Sequence, residues 1–242
     1  MITKSVVKDI QSLAGKKYRD QAGLFLAEGP KLVEELLRDC SHSIKAIYAL
    51  ESWIQQNKII NSSIQVTLVT PAELERLSQL TTPHEVLAVV SKFPFSPLEI
   101  GKGLTLVCCG IQDPGNFGTI LRTADWFGVR QLVCSPDTVD VYNPKVVQAT
   151  MGSIARLAVH YMDLDPWLNE QEVPIYAAIL NGQSVYEINR SQSGILLIGN
   201  EAKGVPASLL TKKVTGITIP KIGEAESLNA AVATGILLSW LS

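Results

Sequence analysis

Histidine is scarce in this chain: His42, His84 and His160 are the only three among 242 residues, and no Cys/His cluster surrounds any of them. That spacing offers no ligand set for zinc or another transition metal, and no base with a neighbouring acid for a Ser-His-Asp hydrolase. Cysteine is nearly as sparse. Cys40, Cys108, Cys109 and Cys134 show no C-x-x-C spacing, and the adjacent pair sits inside an apolar run, so buried thiols in a reducing compartment are expected. No apolar stretch approaches the roughly 18 residues of a membrane span, and Met1-Ile-Thr-Lys-Ser does not begin an apolar signal segment. The expectation is a soluble cytoplasmic protein with no membrane partner and no metal. A large excess of either charge is also missing. A net charge of -2 and a pI near 6.0 do not by themselves announce a nucleic-acid binder.

Two glycine fingerprints are incomplete. Gly199 and Gly204 have the separation of a P-loop, but Val205 and Pro206 follow where Lys and Ser or Thr are needed. Gly115 and Gly118 lack the third glycine of a dinucleotide-binding turn. Neither nucleotide-binding reading stands on these residues.

What is present is an ordinary globular balance, 46% hydrophobic and 18% charged, enough to bury a core in one large or two modest domains. Helical spacing of Val6, Val7, Ile10 and Leu13 predicts a first helix over Ser5–Leu13, with Gly15 placed to stop it. Short strands are expected at Leu24–Ala27, Lys45–Leu50, Gln65–Thr70 and Val86–Phe93, with helices from Pro30 to Leu37 and from Pro71 to Leu80. Residues 1–93 therefore read as a small α/β domain. Two prolines and two glycines between Phe93 and Gly103 mark a linker. Beyond it, near-continuous apolar runs at Leu104–Ile111, Gln131–Ser135, Leu157–Met162, Ile175–Leu180, Gly194–Gly199 and Gly216–Pro220 predict a parallel sheet covered on both faces, over residues 103–242.

Charge is unevenly spread. Lys4, Lys8, Lys16, Lys17, Arg19 and Lys31 outnumber Asp9, Asp20 and Glu28 near the amino terminus. Lys16-Lys-Tyr-Arg19 pairs phosphate-binding cations with a ring able to stack on a base, although a solvated helix surface explains the charges as well. In the second domain Asp113-Pro-Gly-Asn116 reads as a turn whose Asn116 caps the next helix, and Ile120, Ala124 and Phe127 form its buried stripe. Arg122 lies off that stripe, near the carboxyl edge of the sheet where open α/β folds bind ligands, with a surface pairing to Asp125 as the bland alternative. Ser227 is placed to open the small-residue helix that ends the chain. With metal and hydrolase chemistry set aside, a site built from Asn116, Arg122, Glu201, Ser227 and Asn229 remains. The backbone groups left free beside glycines at the strand ends suit a flat heterocyclic cofactor.

Three stretches carry a resemblance: Asp113-Pro-Gly-Asn-Phe-Gly-Thr-Ile-Leu-Arg-Thr-Ala-Asp125, Leu197-Ile-Gly-Asn-Glu-Ala-Lys-Gly204, and Ile219-Pro-Lys-Ile-Gly-Glu-Ala-Glu-Ser-Leu-Asn-Ala-Ala-Val-Ala233. In sequence and spacing they resemble the SpoU (TrmH-like) branch of the SPOUT superfamily, S-adenosylmethionine-dependent RNA 2'-O-ribose methyltransferases. Residues 16–37 are similar to the small substrate-binding domain, like ribosomal protein L30e in fold, that precedes the catalytic domain in many members. Ala202 departs from the usual glycine of the second stretch, while Gly199 and Gly204 keep the freedom its turn needs.

The resemblance implies a carboxyl-terminal trefoil knot and a homodimer. It also implies that S-adenosylmethionine is bound through backbone groups at Gly199, Ile219 and Leu228. Asn116 and Arg122 would face the ribose, while Glu201, Ser227 and Asn229 hold the active-site loops and the substrate phosphate. Lys16, Lys17 and Arg19 would grip RNA, with ribosomal RNA preferred over transfer RNA. Two roles stay open for Arg122: general base, or stabiliser of the developing alkoxide. A guanidinium normally keeps its proton, which is the difficulty with the first. A non-catalytic RNA-binding protein that has kept the methyltransferase fold is the rival from another class, and all five residues that decay would damage are present.

Overall fold

The computed structural model describes residues 2–57, 64–190, 193–211 and 213–242. In chain order the elements are α1 (Lys4–Ser12), α2 (Lys16–Ala22), β1 (Leu24–Glu28), α3 (Pro30–Cys40), β2 (Ile44–Ala49), α4 (Glu51–Gln56), β3 (Gln65–Leu68), α5 (Pro71–Leu77) and β4 (Val86–Ser91). They continue with β5 (Leu104–Cys109), α6 (Pro114–Trp126), β6 (Gln131–Cys134), α7 (Pro144–Thr150), β7 (Ala158–Tyr161), α8 (Leu164–Asn169), β8 (Ile175–Ser184), β9 (Gly194–Gly199), β10 (Val214–Thr218) and α9 (Ala230–Leu241). The chain divides into two compact units, Met1–Pro94 with Asp140–Ala155, and Phe95–Val139 with Arg156–Ser242. Among the described residues no helix is long and apolar enough to cross a membrane.

The first unit is built on a four-stranded mixed sheet in the order β1-β4-β2-β3, in which only β2 and β3 run parallel. β4 lies between two strands, so its apolar run Val86–Val90 is buried along its length. The helices begin where local chemistry dictates. Thr3 caps α1 by accepting from the Val6 N–H, and a reciprocal Thr70/Glu73 capping box opens α5 ahead of Pro71. Val7, Ile10 and Leu13 then pack with Leu74, Leu77 and Leu87.

Two helices of this unit escape the periodicity argument. α4 buries only Trp53, and α2 buries only Arg19. Arg19 corrects an expectation: it is 2% exposed and cannot reach a phosphate from the surface. Its guanidinium pairs with Asp140 at 2.6 Å and donates to the carbonyls of Leu13 at 2.9 Å and Ala14 at 2.7 Å. A planar fork with several fixed donors satisfies three acceptors at once, which is why an arginine can stand where a core residue would. The pair also explains why Asp140–Ala155, which lies in sequence between β6 and β7, belongs to this unit. Phe25, Phe93 and Tyr142 pack beside it, and the Tyr142 hydroxyl accepts from the Phe93 N–H at 2.9 Å.

The second unit carries six parallel strands in the order β10-β8-β9-β5-β6-β7. This is the parallel sheet that the apolar runs predict, and β5 and β9 are buried from Thr105 to Cys109 and from Gly194 to Ile198. β8 departs from a simple strand. Ala177 pairs with Gly216 but Gln183 pairs with Ile217, so residues 178–182 bulge and Leu180 is left 69% exposed. A Cβ on Gly182 would stand 2.7 Å from the Gly216 backbone, so only glycine allows this crossing.

α6 starts at Asp113, whose Oδ1 accepts the Asn116 N–H at 2.7 Å, with Pro114 in the first turn. The cap is thus Asp113 and not Asn116, and the buried stripe is Phe117, Ile120, Leu121 and Ala124. Likewise Asn229, not Ser227, caps α9, accepting from Ala231 at 2.9 Å and Val232 at 3.3 Å. α9 packs along α6, where a Cβ on Gly235 would be 3.6 Å from Thr123 Cγ2.

Candidate active site

Parallel strands all end at one edge, and the loops that leave this edge carry the polar residues of the second unit. After β5 the chain turns through Gln112 into the first turn of α6, which presents Asn116. After β9 a tight turn presents Glu201, and the first turn of α9 follows Asn229. Asn116 joins them: its Nδ2 donates to Glu201 Oε1 at 2.5 Å, and its Oδ1 accepts from Asn229 Nδ2 at 2.9 Å. Because Asn229 Oδ1 is committed to the α9 N–H groups, its amide orientation is determined, and so in turn is that of Asn116. Three of the five residues singled out from the sequence therefore form one hydrogen-bonded chain across 113 positions.

The other two do not join it. Arg122 lies two turns along α6, is exposed, and has no hydrogen bond or ion pair among the described residues. Asp125, the surface partner considered for it, binds Arg156 instead, at 2.8 to 2.9 Å. Ser227 is exposed in the stretch from Lys221 to Asn229, all of which faces solvent.

The β9 turn is unusually close. A Cβ on Gly199 would fall 2.1 Å from the carbonyl carbon of Gly204, and Gly204 has φ of +67°. Asn200, which sequence reasoning missed, ties this turn down: its Nδ2 donates to the Gly110 carbonyl at 2.8 Å and its Oδ1 accepts the Ala202 N–H at 2.9 Å. An Asn directly after a buried strand and four residues before a glycine was the available signal.

Of the expected cofactor residues, Gly199 and Ile219 are half-buried and Leu228 is 47% exposed. Ile222 is fully exposed nearby in sequence. Backbone at the ends of β9 and β10 beside uncovered apolar side chains fits a flat, partly apolar ligand such as an adenosyl group. A cavity of about 220 Å³ lies elsewhere on the same sheet edge, lined by Cys109, Gly110, Ser135, Asp137, Asp163 and Asn200 among others, and not by Gly199, Ile219 or Leu228. Cys109 brings no thiolate to it, since burial pushes its thiol up to about 12. In the first unit Lys16 and Lys17 are exposed, and Lys16 pairs with Asp20 at 2.7 Å.

Comparison with known proteins agrees with this geometry. The pattern of the SpoU rRNA Methylase family matches residues 103–239, and that of the MRM3-like substrate binding domain matches residues 4–88. The chain is 34% identical to the 23S rRNA (guanosine(2553)-2'-O)-methyltransferase RlmP of Bacillus subtilis, over 97% of this chain and 95% of the relative. It is 27% identical to a 23S rRNA (uridine(2479)-2'-O)-methyltransferase of Streptomyces viridochromogenes, over 93% and 85% of the two chains. Among solved structures, the AdoMet-bound rRNA methyltransferase of Sinorhizobium meliloti superposes with a TM-score of 0.84 at 31% identity, covering 100% of this chain and 95% of that one.

Proposed function

Because this chain belongs to the SpoU rRNA methylase family, we propose that it is an S-adenosylmethionine-dependent RNA 2'-O-ribose methyltransferase acting on ribosomal RNA. The observation that carries the assignment to a site is the chain Glu201–Asn116–Asn229, which holds three separate loops in one arrangement at the sheet edge. S-adenosylmethionine supplies the electrophilic methyl group when bound, and Gly199, Ile219 and Leu228 are the residues that would hold it.

The protein's own task is to orient a ribose hydroxyl and to accommodate the charge that develops on its oxygen. Positioning alone can lower such a barrier by roughly 7 to 11 kcal/mol. Asn116, Glu201 and Asn229 fix the loops, and Ser227 offers a hydroxyl in the exposed stretch leading into α9. Arg122 is solvent-facing and unpaired among the described residues, which suits a cation waiting for an RNA phosphate or an alkoxide better than a desolvated base. Lys16 and Lys17 on α2 supply phosphate contacts, with the exposed ring of Tyr18 between them and Arg19.

The finer features are proposed on the same footing. A homodimer is supported by Trp126, 84% exposed on α6, and Val232, 52% exposed on the neighbouring α9, since apolar groups on packed helices call for a cover. Light scattering should find about twice 26.3 kDa, and a 26.3 kDa species alone at micromolar concentration would remove this element. The trefoil knot is proposed from membership of the family, and tracing the chain in an experimental density map tests it. Buried cysteines, none of them joined in a disulfide among the described residues, fit a reducing cytoplasm. The function itself is tested by calorimetry with S-adenosylmethionine and by transfer of labelled methyl to unmodified ribosomal RNA. No binding at millimolar cofactor, with no label transferred, overturns it.

A further inference from the structure

Two asparagines strap the β9 turn that carries Glu201. Asn116 reaches the Glu201 carboxylate itself. Asn200 holds the backbone on which that carboxylate stands. Its Nδ2 donates to the Gly110 carbonyl at 2.8 Å, its Oδ1 accepts from Ala202 at 2.9 Å and Lys203 at 3.3 Å, and its own carbonyl accepts the Gly204 N–H at 2.8 Å. The anchor at the other end is determined by the fold. Gly110 has φ of +66°, and Asp137 Oδ2 stands 2.8 Å from where a Cβ would be, so its peptide has little choice of direction. The Gly110 N–H is also engaged, donating to Ser135 Oγ at 2.8 Å.

We propose that Asn200 is a positioning residue for methyl transfer, acting through Glu201 by registering the end of β9 against the end of β5. The proposal rests on the function proposed above. Its logic is geometric. The Glu201 side chain is exposed and Asn116 is its one hydrogen-bond partner among the described residues, so the place of its carboxylate depends on the backbone at positions 200–202. The segment that leads from Gly110 into α6 also presents Asn116. Asn200 thus spans the same gap between the β5 and β9 ends as the Asn116–Glu201 bond. Loss of this strap lets the two ends drift, and a displacement of about 1 Å in a reacting constellation can cost on the order of 100-fold in rate.

Asn200→Asp separates this role from general packing. It preserves size and the acceptor for Ala202 and Lys203, but replaces the donor facing the Gly110 carbonyl with an oxygen. With labelled S-adenosylmethionine and unmodified ribosomal RNA, kcat should fall about 10- to 100-fold while cofactor affinity by calorimetry stays within about threefold. In a Glu201→Ala background the same substitution should cost no more than about threefold, because residues that act as one unit are not additive. A wild-type kcat for Asn200→Asp overturns the proposal, and so does a full, additive loss in the Glu201→Ala background. If Asn200→Asp does not fold, Asn200→Ser, which is smaller and cannot span to Gly110, is put through the same cycle with the same two outcomes. Failure of the parent reading is distinct: there the unmutated protein itself neither binds cofactor nor transfers label.

Discussion

The two units place their linked polar side chains differently. In the first, some linked polar groups are interior: Arg19 and Asp140 pair at 3% and 12% side-chain exposure, and Glu28, 5% exposed, accepts from Ser78 Oγ and the Gln79 N–H. In the second, the core around β5 and β9 is apolar, and the linked polar side chains Asn116, Glu201 and Asn229 stand at the open end of the sheet. An interior charge without its partner is costly, so Arg19 and Asp140 serve the structure and cannot serve a ligand. A hydrogen bond at a solvated strand end contributes little stability and can be exchanged for one to a substrate. Burial, more than residue type, separates the cations that hold this protein together from those free to act.

The sharpest way to break that contrast is at Arg19. Arg19→Ala should lower unfolding free energy by about 3 to 5 kcal/mol, because Asp140 and two carbonyls lose their donor inside the unit. Urea denaturation measures it, and a loss under about 1 kcal/mol would mean that the pair is as weak as a surface bridge.

Next in size is Arg122, the exposed counterpart. Arg122→Ala should leave the melting temperature unchanged and RNA and cofactor binding within a few fold, while single-turnover methyl transfer falls by about two orders of magnitude or more. Transfer at the unmutated rate would take the active site away from α6. Arg122→Lys sharpens the result: substantial retained activity favours simple charge stabilisation, and near-complete loss favours a role for the planar guanidinium.

A smaller effect is expected at the amino-terminal surface. Neutralising Lys16 and Lys17 should weaken RNA binding across sequences and flatten its salt dependence by about 0.7 to 0.9 in slope for each phosphate no longer neutralised, with cofactor affinity unchanged. An unchanged salt slope would place the RNA on another face.

The smallest effect belongs to Asp20. Hydrogen bonds from Lys16 and then Lys92 hold its carboxyl down to about 2, from an ordinary 3.8. Its folded value is depressed, so its contribution is present above the ordinary value and lost as pH falls through about 2. With its side chain 46% exposed, screening keeps that contribution below about 1 kcal/mol. Asp20→Asn should therefore be slightly less stable than the parent near neutral pH and converge with it as pH falls below about 2, as acid titration of the melting transition would reveal.

How much of this was legible beforehand depends on range. The strands of the parallel sheet were readable because strands buried on both faces must be apolar along their length, and β5 and β9 are. α2 was not, since its interior face is an arginine, and α4 was not, with Trp53 as its single buried residue. Asn116, Arg122, Glu201, Ser227 and Asn229 could be named as a set from three separated stretches, but the sequence did not show that hydrogen bonds would join only Asn116, Glu201 and Asn229 among them. Which asparagine caps a helix and which bridges loops could not: Asp113 took the cap expected of Asn116, and Asn229 the one expected of Ser227.

By itself the sequence determined the alternation of strands and helices and the parallel sheet, because periodicity and turn preferences act over a few residues. Only the tertiary structure decided that Arg19 is interior, that residues 140–155 pack with the amino-terminal unit, and that Asn116 meets partners 85 and 113 positions away. The reason is physical. An arginine or asparagine has no fixed preference for surface or core; its place follows from which acceptors the folded chain brings within about 3 Å, and those come from distant segments.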